Sequence, residues 1–411
     1  MVKIVDFIFF FYMFTGLYML IFFVLLYVKN KDLLFEYPPG KPEPVSIVMP
    51  CYNAEKNIGN AIESLLNLDW PKEMMEIIIV DDASKDNSVN IIEKYVAKYD
   101  NIRLIKHEKN SGCAAATTNT GVRAAKYDYI AVADDDSTPK RDALRKMIGF
   151  LQNEKDVAAV TCSILAEHPE TFMQKLQGIE YAIIAWTRKL LDFVDSVYVT
   201  PGPFALYKKE KLIEVGLFDV KNLTQDIEIV WRLLSHGYKA RMSLATGVYS
   251  ETPKKIGAWW KQRVRWTIGG IQTLLKYKHL LLRKGMLGVF IIPFFAFSLF
   301  LGMLGLGLFA YLITRRLFIS YLATRYSIYA DTAILTLQDV SFNPSVLNMF
   351  GAIQLLLGGI FTFFGLGVMK GLKKGKDNIF NILFYMIVYL TLLPLVIITS
   401  FYKLARGKYS W

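Results

Sequence analysis

Four stretches without a single Asp, Glu, Lys or Arg occupy positions 7–28, 285–314, 340–369 and 378–402. A helix needs about 20 apolar residues to cross the hydrocarbon of a bilayer, and each stretch supplies them. The chain is therefore expected to place one membrane anchor ahead of a central region and about three spans behind it. The competing reading, four buried core helices of a soluble protein, fits stretches of this length poorly. The first stretch has no small-residue cleavage site behind a short apolar core, so it reads as a retained anchor rather than a signal peptide.

Charge at the ends of these stretches orients them. Lys29 and Lys31 follow the first, and Lys370, Lys373, Lys374 and Lys376 separate the last two. The positive-inside rule assigns both groups to the cytoplasmic side, which leaves the central region cytoplasmic in an integral, multi-pass cell-membrane protein. One span before and three after would put the tail, with Lys403, Arg406 and Lys408, outside. A re-entrant or additional membrane segment at 316–330 would bring it back.

With 53% hydrophobic residues the chain has too much apolar surface to stay disordered. Its three cysteines, Cys51, Cys113 and Cys162, exclude a disulfide-stapled scaffold and read as reduced thiols. The net charge of +12 first suggests a nucleic-acid partner, but its distribution argues otherwise. Residues 45–251 hold 25 basic and 29 acidic side chains, whereas 252–285 hold nine Lys or Arg and no acid. The excess lies at the membrane border, where it meets anionic headgroups. No nucleic-acid partner is expected. His107, His168, His236 and His279 are too scattered for a histidine metal site.

Between the anchor and the later spans, short apolar runs at 45–49, 77–80, 102–105, 129–133 and 157–161 alternate with amphipathic stretches at 55–68, 88–98, 111–125 and 140–153. Alternation of this kind predicts an α/β domain, a mainly parallel sheet covered by helices on both faces. The stretch 169–195 puts Phe172, Leu176, Ile179, Ile183, Leu190 and Leu191 on one side, as an interface helix or as domain core. Ligands of such sheets gather at the carboxyl ends of the strands. Three polar clusters stand there: Pro50-Cys51-Tyr52-Asn53, Asp81-Asp82-Ala83-Ser84 and Asp134-Asp135-Asp136-Ser137. Either of the first two alone reads equally well as an ordinary turn. Three successive carboxylates repel one another, and such hard oxygen ligands suit Mg²⁺ or Mn²⁺ that also holds a diphosphate.

The run Val45-Ser46-Ile47-Val48-Met49-Pro50-Cys51-Tyr52-Asn53, with Ile78-Ile79-Val80-Asp81-Asp82-Ala83-Ser84, Asn119-Thr120-Gly121 and Asp134-Asp135-Asp136, resembles family 2 glycosyltransferases of the GT-A fold. Leu223-Thr224-Gln225-Asp226 is similar to their Thr-Glu-Asp acceptor motif, with Gln225 in place of Glu, and Gln262-Arg263-Val264-Arg265-Trp266 matches their Q-x-x-R-W signature. With the flanking spans, the set is most similar to membrane-embedded synthases of poly-N-acetylglucosamine, hyaluronan, chitin and cellulose. The resemblance implies a GT-A type, Rossmann-like nucleotide-sugar domain at 45–251, between an anchor and linker at 1–44 and a basic amphipathic interface segment at 252–285. Transmembrane helices follow at 286–411.

By the same resemblance the reaction is inverting and metal-dependent. It moves a sugar from a UDP-sugar to a growing β-linked polysaccharide, coupled to passage through the membrane. Transfer of one sugar to a lipid acceptor is the alternative. Pro50, Tyr52, Asn53 and Asp81 are then expected to hold the uridine, Asp134 the sugar or ribose, and Asp136 the Mg²⁺ or Mn²⁺, with Asp135 balancing charge. Asp226 is expected to be the general base, which an inverting transfer needs to take the acceptor hydroxyl proton. Arg265 is expected on the diphosphate, with Gly202, Gln262 and Trp266 at the acceptor. Trp259 and Trp260 read as aromatic-belt residues.

Overall fold

Strands buried on both faces need apolar side chains at successive positions rather than alternate ones, and the first two strands of the central region have that build. The computed structural model describes residues 4–330, 346–373 and 378–407. Helix α1 (Ile4–Asn30) leads into β1 (Val45–Cys51), followed by α2 (Ile58–Leu66), β2 (Met75–Asp81), α3 (Ser88–Val96) and β3 (Ile102–Lys106). Next come α4 (Ala114–Ala124), β4 (Tyr129–Ala133), the short β5 (Ser137–Pro139), α5 (Arg145–Asn153), β6 (Val157–Ala166) and α6 (Phe172–Asp192). The domain closes with β7 (Phe204–Lys208), α7 (Lys209–Glu214), α8 (Gln225–Ser235) and β8 (Lys239–Ser250). Beyond it stand α9 (Ile256–Tyr277), α10 (Ile292–Tyr329), α11 (Val346–Met369), α12 (Ile379–Phe384) and α13 (Leu390–Ala405).

The eight strands form one sheet in the order β3-β2-β1-β4-β7-β6-β8-β5. Strands β3, β2, β1 and β4 run parallel, as do β6 and β8. Strand β7 is antiparallel to both neighbours, and β5 to β8. The five strands and four helices expected from the sequence are all present; β5, β7 and β8 were not anticipated.

Period-2 alternation sorts the sheet's side chains into two layers. Val45, Ile47 and Met49 pack with Ile58, Ile62 and Leu65 of α2 and Met147 and Ile148 of α5. Val48, Ile78 and Val80 pack with Ala115 and Val122 of α4 and with α6. Gly121 explains the closeness of α4 to β1, because a Cβ there would lie 2.3 Å from Val48 Cγ1.

The Pro-rich linker is docked on α5 rather than hanging free. Lys41 N–H donates to Gln152 Oε1 at 2.9 Å, Gln152 Nε2 returns a bond to the Lys41 carbonyl, and Asn153 Nδ2 donates to the Pro39 carbonyl. A Cβ on Gly149 would fall 2.0 Å from the Pro38 carbonyl oxygen. Gly149→Val is therefore expected to lift the linker off α5 and cost about 1–3 kcal/mol of stability. A thermal melt and protease sensitivity at residues 38–44 check this, and a wild-type melt with a protected linker would contradict it.

Four helical stretches are long and apolar enough to cross a membrane: Asp6–Leu33, Leu287–Tyr329, Gly351–Met369 and Ile379–Ala405. They leave Phe7, Leu25, Phe309, Leu356, Phe380 and Ile398 exposed, a surface suited to hydrocarbon rather than water. This is the build of a multi-pass membrane protein. The 316–329 segment is not re-entrant. It continues α10 straight on, and 43 helical residues would span about 65 Å, twice the hydrocarbon thickness. Lys374, Lys376, Lys408 and the start of the 340–369 stretch lie outside the described residues.

Helix α6 serves at once as domain core and as a packing surface for the candidate spanning helices α1 and α11. A capping box starts it, with the Thr171 hydroxyl accepting from Gln174 N–H and the Gln174 side chain reaching back. Leu176, Ile179, Ala182 and Leu190 are buried. Its Trp186 meets Tyr27 of α1 at 5.8 Å and Phe361 of α11 at 4.5 Å between ring centroids.

Candidate active site

The carboxyl ends of β1, β2 and β4 converge on two cavities that share a wall. The first, about 480 Å³, is lined by Pro50, Cys51, Tyr52, Asp82, Asn110 and Gly112 and closed by Asp134, Asp135, Asp136 and Arg265. The second, about 260 Å³, is lined by Gly202, Gln225, Asp226, Glu251, Gln262 and Trp266, together with Asp134, Asp136 and Arg265. Pro50 and Tyr52, expected at the nucleotide, thus line the first cavity, and Gly202, Gln262 and Trp266, expected at the acceptor, line the second. Asp134, Asp136 and Arg265 face both.

On the first side, Asp81 pairs with Cys51 across the β1–β2 ladder and is 2% exposed. Its Oδ2 accepts from Ser84 N–H at 3.1 Å, whereas its buried Oδ1 has no partner among the described residues. A buried carboxylate oxygen left without a donor is costly, and Asp81 itself is not among the residues lining the first cavity. Asn53 takes a different part from the one expected. At φ 53° it turns its Oδ1 to Lys85 N–H (2.8 Å) while its own N–H donates to Ser84 Oγ (2.9 Å), tying the turn after β1 to the turn after β2. It also lies outside the lining of the first cavity.

Asp82 was not anticipated. Its carboxylate accepts from Ser111 N–H and Ser111 Oγ and meets His107 Nδ1 at 2.7 Å, fastening the loop before α4 over the cavity. Asn119 adds a second clamp from α4. Its Nδ2 donates to the Phe218 carbonyl at 2.8 Å and its Oδ1 accepts from Phe218 N–H at 2.9 Å. The Asn119-Thr120-Gly121 piece is therefore structural, holding the chain that leads to Asp226.

The three central carboxylates are crowded and buried. Burial, then Asp136, Asp135 and Asp226, push Asp134 well above the usual carboxylate range, against the pull of Arg265. Burial and Asp136 push Asp135 up to about 7, and burial with Glu251 pushes Asp136 up to about 6. Asp135 is more than a charge balance, since the Tyr52 backbone N–H bonds it to the β1 turn. Gly202 touches Asp134 directly: a Cβ there would lie 2.9 Å from both carboxylate oxygens. Ser137 Oγ lies 2.8 Å from both the Asp134 and Pro203 carbonyls, so the Pro201-Gly202-Pro203 loop and the acidic turn form one piece. Gly202→Ala must displace Asp134. It is expected to slow turnover about 10- to 100-fold while the melting temperature holds, read from initial rates and a melt; an unchanged rate would refute the contact's importance.

On the second side, Asp226 stands in the first turn of α8, where its Oδ1 accepts from Ile227 N–H at 3.1 Å. Burial raises its pKa, and Arg265 and then Arg188 pull the other way. Its loop is pinned to α9. Asn222 Nδ2 donates to Thr273 Oγ1 at 2.9 Å and Leu223 N–H to Gln272 Oε1 at 3.1 Å. Gly269 lets the backbones meet, because a Cβ there would lie 2.2 Å from Thr224 Oγ1. The helix that carries Gln262, Arg265 and Trp266 is thereby fixed relative to Asp226.

Two residues of this cavity, and one outside its lining, take parts the sequence did not assign. Arg188 of α6 is 7% exposed, lines the cavity, and keeps a buried Nε without a partner among the described residues. Gln225 likewise presents a buried, unpartnered Oε1. Trp259 is fully buried and donates from Nε1 to Tyr389 Oη, so it is a packed core residue and not a belt residue.

No three His, Cys, Asp or Glu side chains among the described residues converge to hold an ion unaided. The donor set nevertheless fits a cation shared with a ligand. Mg²⁺ and its relatives commonly take one or two carboxylates and complete their shell with water and substrate phosphate.

Two cavities at the carboxyl ends of the parallel strands, a shared carboxylate wall and a buried carboxylate facing the second cavity are the arrangement of a GT-A glycosyltransferase. The sequence model of glycosyl transferase family 2 matches residues 46–216. A poly-beta-1,6-N-acetyl-D-glucosamine synthase of Staphylococcus epidermidis strain RP62A is 31% identical over 277 residues, 66% of either chain. A second from S. epidermidis is 30% identical over 297 residues, 71% of either chain. One from Staphylococcus aureus strain COL is 32% identical over 235 residues, 57% of this chain and 56% of that one. The matched stretch thus spans just under two thirds of the first of these relatives. Among solved structures, the mannosyltransferase PcManGT from Pyrobaculum calidifontis, in complex with GDP-Man and Mn²⁺, superposes with a TM-score of 0.61. It is 16% identical and covers 97% of this chain and 99% of that one, a likeness of fold. The chain belongs to glycosyl transferase family 2.

Proposed function

We propose that this chain is an inverting hexosyltransferase that moves N-acetylglucosamine from its UDP donor to the end of a β-linked polysaccharide and feeds the product into its own membrane helices. The observation that carries this reading is the pair of cavities meeting at Asp134, Asp136 and Arg265, with Asp226 in the second. The sugar is inferred from the staphylococcal relatives.

In this scheme Asp81 accepts the uracil N–H, while Pro50 and Tyr52 border the base. Asp134 holds the donor sugar. Asp136 would hold Mg²⁺ or Mn²⁺ jointly with the donor diphosphate, and the cation would supply Lewis-acid neutralisation of the leaving charge. Arg265 adds charge-assisted hydrogen bonds to the same diphosphate. Across the shared wall, Trp266 stacks on the acceptor ring, and Gln262 and the Gly202 loop orient it. Asp226 takes the proton of the acceptor hydroxyl as that oxygen attacks the anomeric carbon. Attack from the second cavity meets the carbon on the face opposite the diphosphate in the first, which inverts the configuration.

Lys29, Lys31, Lys370 and Lys373 and the basic stretch at 252–285 favour a cytoplasmic catalytic domain by the positive-inside rule. The test is incubation of the purified chain in lipid with a panel of UDP-sugars and Mg²⁺ or Mn²⁺, followed by sizing of the product. A high polymer from UDP-N-acetylglucosamine is expected. A single organic-extractable glycolipid would replace the polymer reading by transfer to a lipid, and no incorporation from any UDP-sugar would overturn both.

A further inference from the structure

Among the buried polar clusters that the proposed reaction does not use, one joins the acceptor cavity to the last membrane helix. Glu180 of α6 and Arg263 of α9 form an ion pair through Arg263 Nη2 and Glu180 Oε2, with side chains 8% and 5% exposed. The same carboxylate oxygen accepts from Tyr389 Oη at 2.7 Å, and Tyr389 Oη accepts in turn from Trp259 Nε1 at 2.5 Å. Tyr389 is fully buried and ends a π-helical turn, Tyr385–Tyr389, that interrupts the last membrane helix between α12 and α13. Turns of this kind commonly mark functional positions.

Arg263 also faces the cavity residues. Its Nη1 donates to Gln262 Oε1 at 2.7 Å, and its guanidinium stacks 4.1 Å above the centre of the Trp266 ring. Because Arg only donates, the first contact fixes which end of the Gln262 amide is oxygen and leaves the NH₂ as a donor. The second contact holds the indole from one face. A buried ion pair is weak evidence for stability, since apolar replacements often do as well. Its distinctive property is that it admits one geometry.

We propose that Glu180, Arg263 and Tyr389 are positioning residues, a latch through which the last membrane helix sets Trp266 and Gln262 in the acceptor cavity. This rests on the reading of that cavity as the acceptor site. A polymer leaving through the membrane helices would bear on the π turn, and Arg263 would pass any shift of Tyr389 to the ring that grips the chain end. The latch therefore links translocation to acceptor registration. It leaves the donor side untouched, because none of its members lines the first cavity.

The test uses the full chain in lipid, with UDP-N-acetylglucosamine as donor, N-acetylglucosamine oligosaccharides as primers, and UDP alone as the donor-site probe. Tyr389→Phe removes one hydroxyl and is expected to fold; Glu180→Gln keeps the shape but leaves the Arg263 charge buried without its counter-ion, a strongly destabilising change, so a melt accompanies it. Each is expected to raise the primer KM about tenfold, the usual effect of losing a hydrogen bond to a charged group, and to shorten the product. UDP affinity should stay within about twofold, because a KM rise alone marks lost binding and not lost chemistry. Arg263→Lys should recover part of the loss seen in Arg263→Met. Primer KM and product length equal to wild type in both conservative variants overturn the latch. So does a parallel fall in UDP affinity, which would mark a merely structural role. Wild-type chain that incorporates no sugar overturns the proposed function and the latch with it; an active wild type matched by its variants overturns the latch alone.

Discussion

Asp226→Asn is expected to lower sugar transfer by about 10²–10⁴-fold, the usual contribution of a general base, while UDP binds as to wild type. The two halves of this expectation come from the two cavities. Asp226 lines only the second, so the nucleotide pocket keeps every one of its lining residues. The amide matches the carboxylate in shape but cannot take a proton. Stability should not fall with activity. Burial raises the Asp226 pKa, so the ionised form is the one the fold disfavours. Removing the charge is expected to leave the melting temperature unchanged or higher. The pH dependence follows with the same sign: the base must be ionised, so turnover declines as pH falls through its raised pKa. Initial rates, UDP titration and a melt of the purified variant decide the matter. Substantial turnover in Asp226→Asn would remove Asp226 as the base.

How far the sequence could be read depends on whether the determinants were local. Strands β1 and β2 were legible because burial on both faces writes a continuous apolar run. The turns that end them were legible from their Asp, Asn and Ser content. Strand β8 was not, because Lys239, Arg241 and Ser243 interrupt its apolar residues, and Arg241 finds Glu154 and Asp195 only in three dimensions. Strand β7 is as short as β3 and β4 but runs antiparallel to its neighbours β4 and β6, a direction no local pattern announces.

The site divides the same way. Asp134, Asp136, Asp226 and Arg265 stand in motifs of fixed spacing. Arg188 stands alone in an amphipathic helix, where a charge ordinarily signals a solvated face, and only the fold turns it inward. Asn53 shows the reverse case: its position in a polar cluster suggested a ligand contact, and in the fold its Oδ1 accepts from Lys85 N–H. The Trp259–Tyr389 contact joins residues 130 apart, and nothing local to either announces it.

Excess chelator is expected to abolish transfer, and Asp136→Asn to do the same in the presence of Mg²⁺ or Mn²⁺. Asp134, Asp135 and Asp136 all have raised pKa values, chiefly through burial and then through neighbouring carboxylates, which for Asp136 are Glu251 and Glu167. A carboxylate held at about 6 or 7 in the fold and near 3.8 when unfolded binds more protons in the native state between those values. Stability from this cluster is therefore present at low pH and lost as pH rises towards about 7. A divalent cation held there would reverse that trend by neutralising the carboxylates once they ionise. Binding must release protons, so Mn²⁺ affinity is expected to fall about tenfold per pH unit, for each proton released, below about pH 6. Titration calorimetry in two buffers of different ionisation enthalpy counts those protons. Melting with and without Mn²⁺ at pH 5 and 8 should show the larger stabilisation at pH 8. Activity undiminished in excess chelator would defeat the assignment of Asp136. Mn²⁺ binding without proton release would show instead that the ion sits away from the acidic turn.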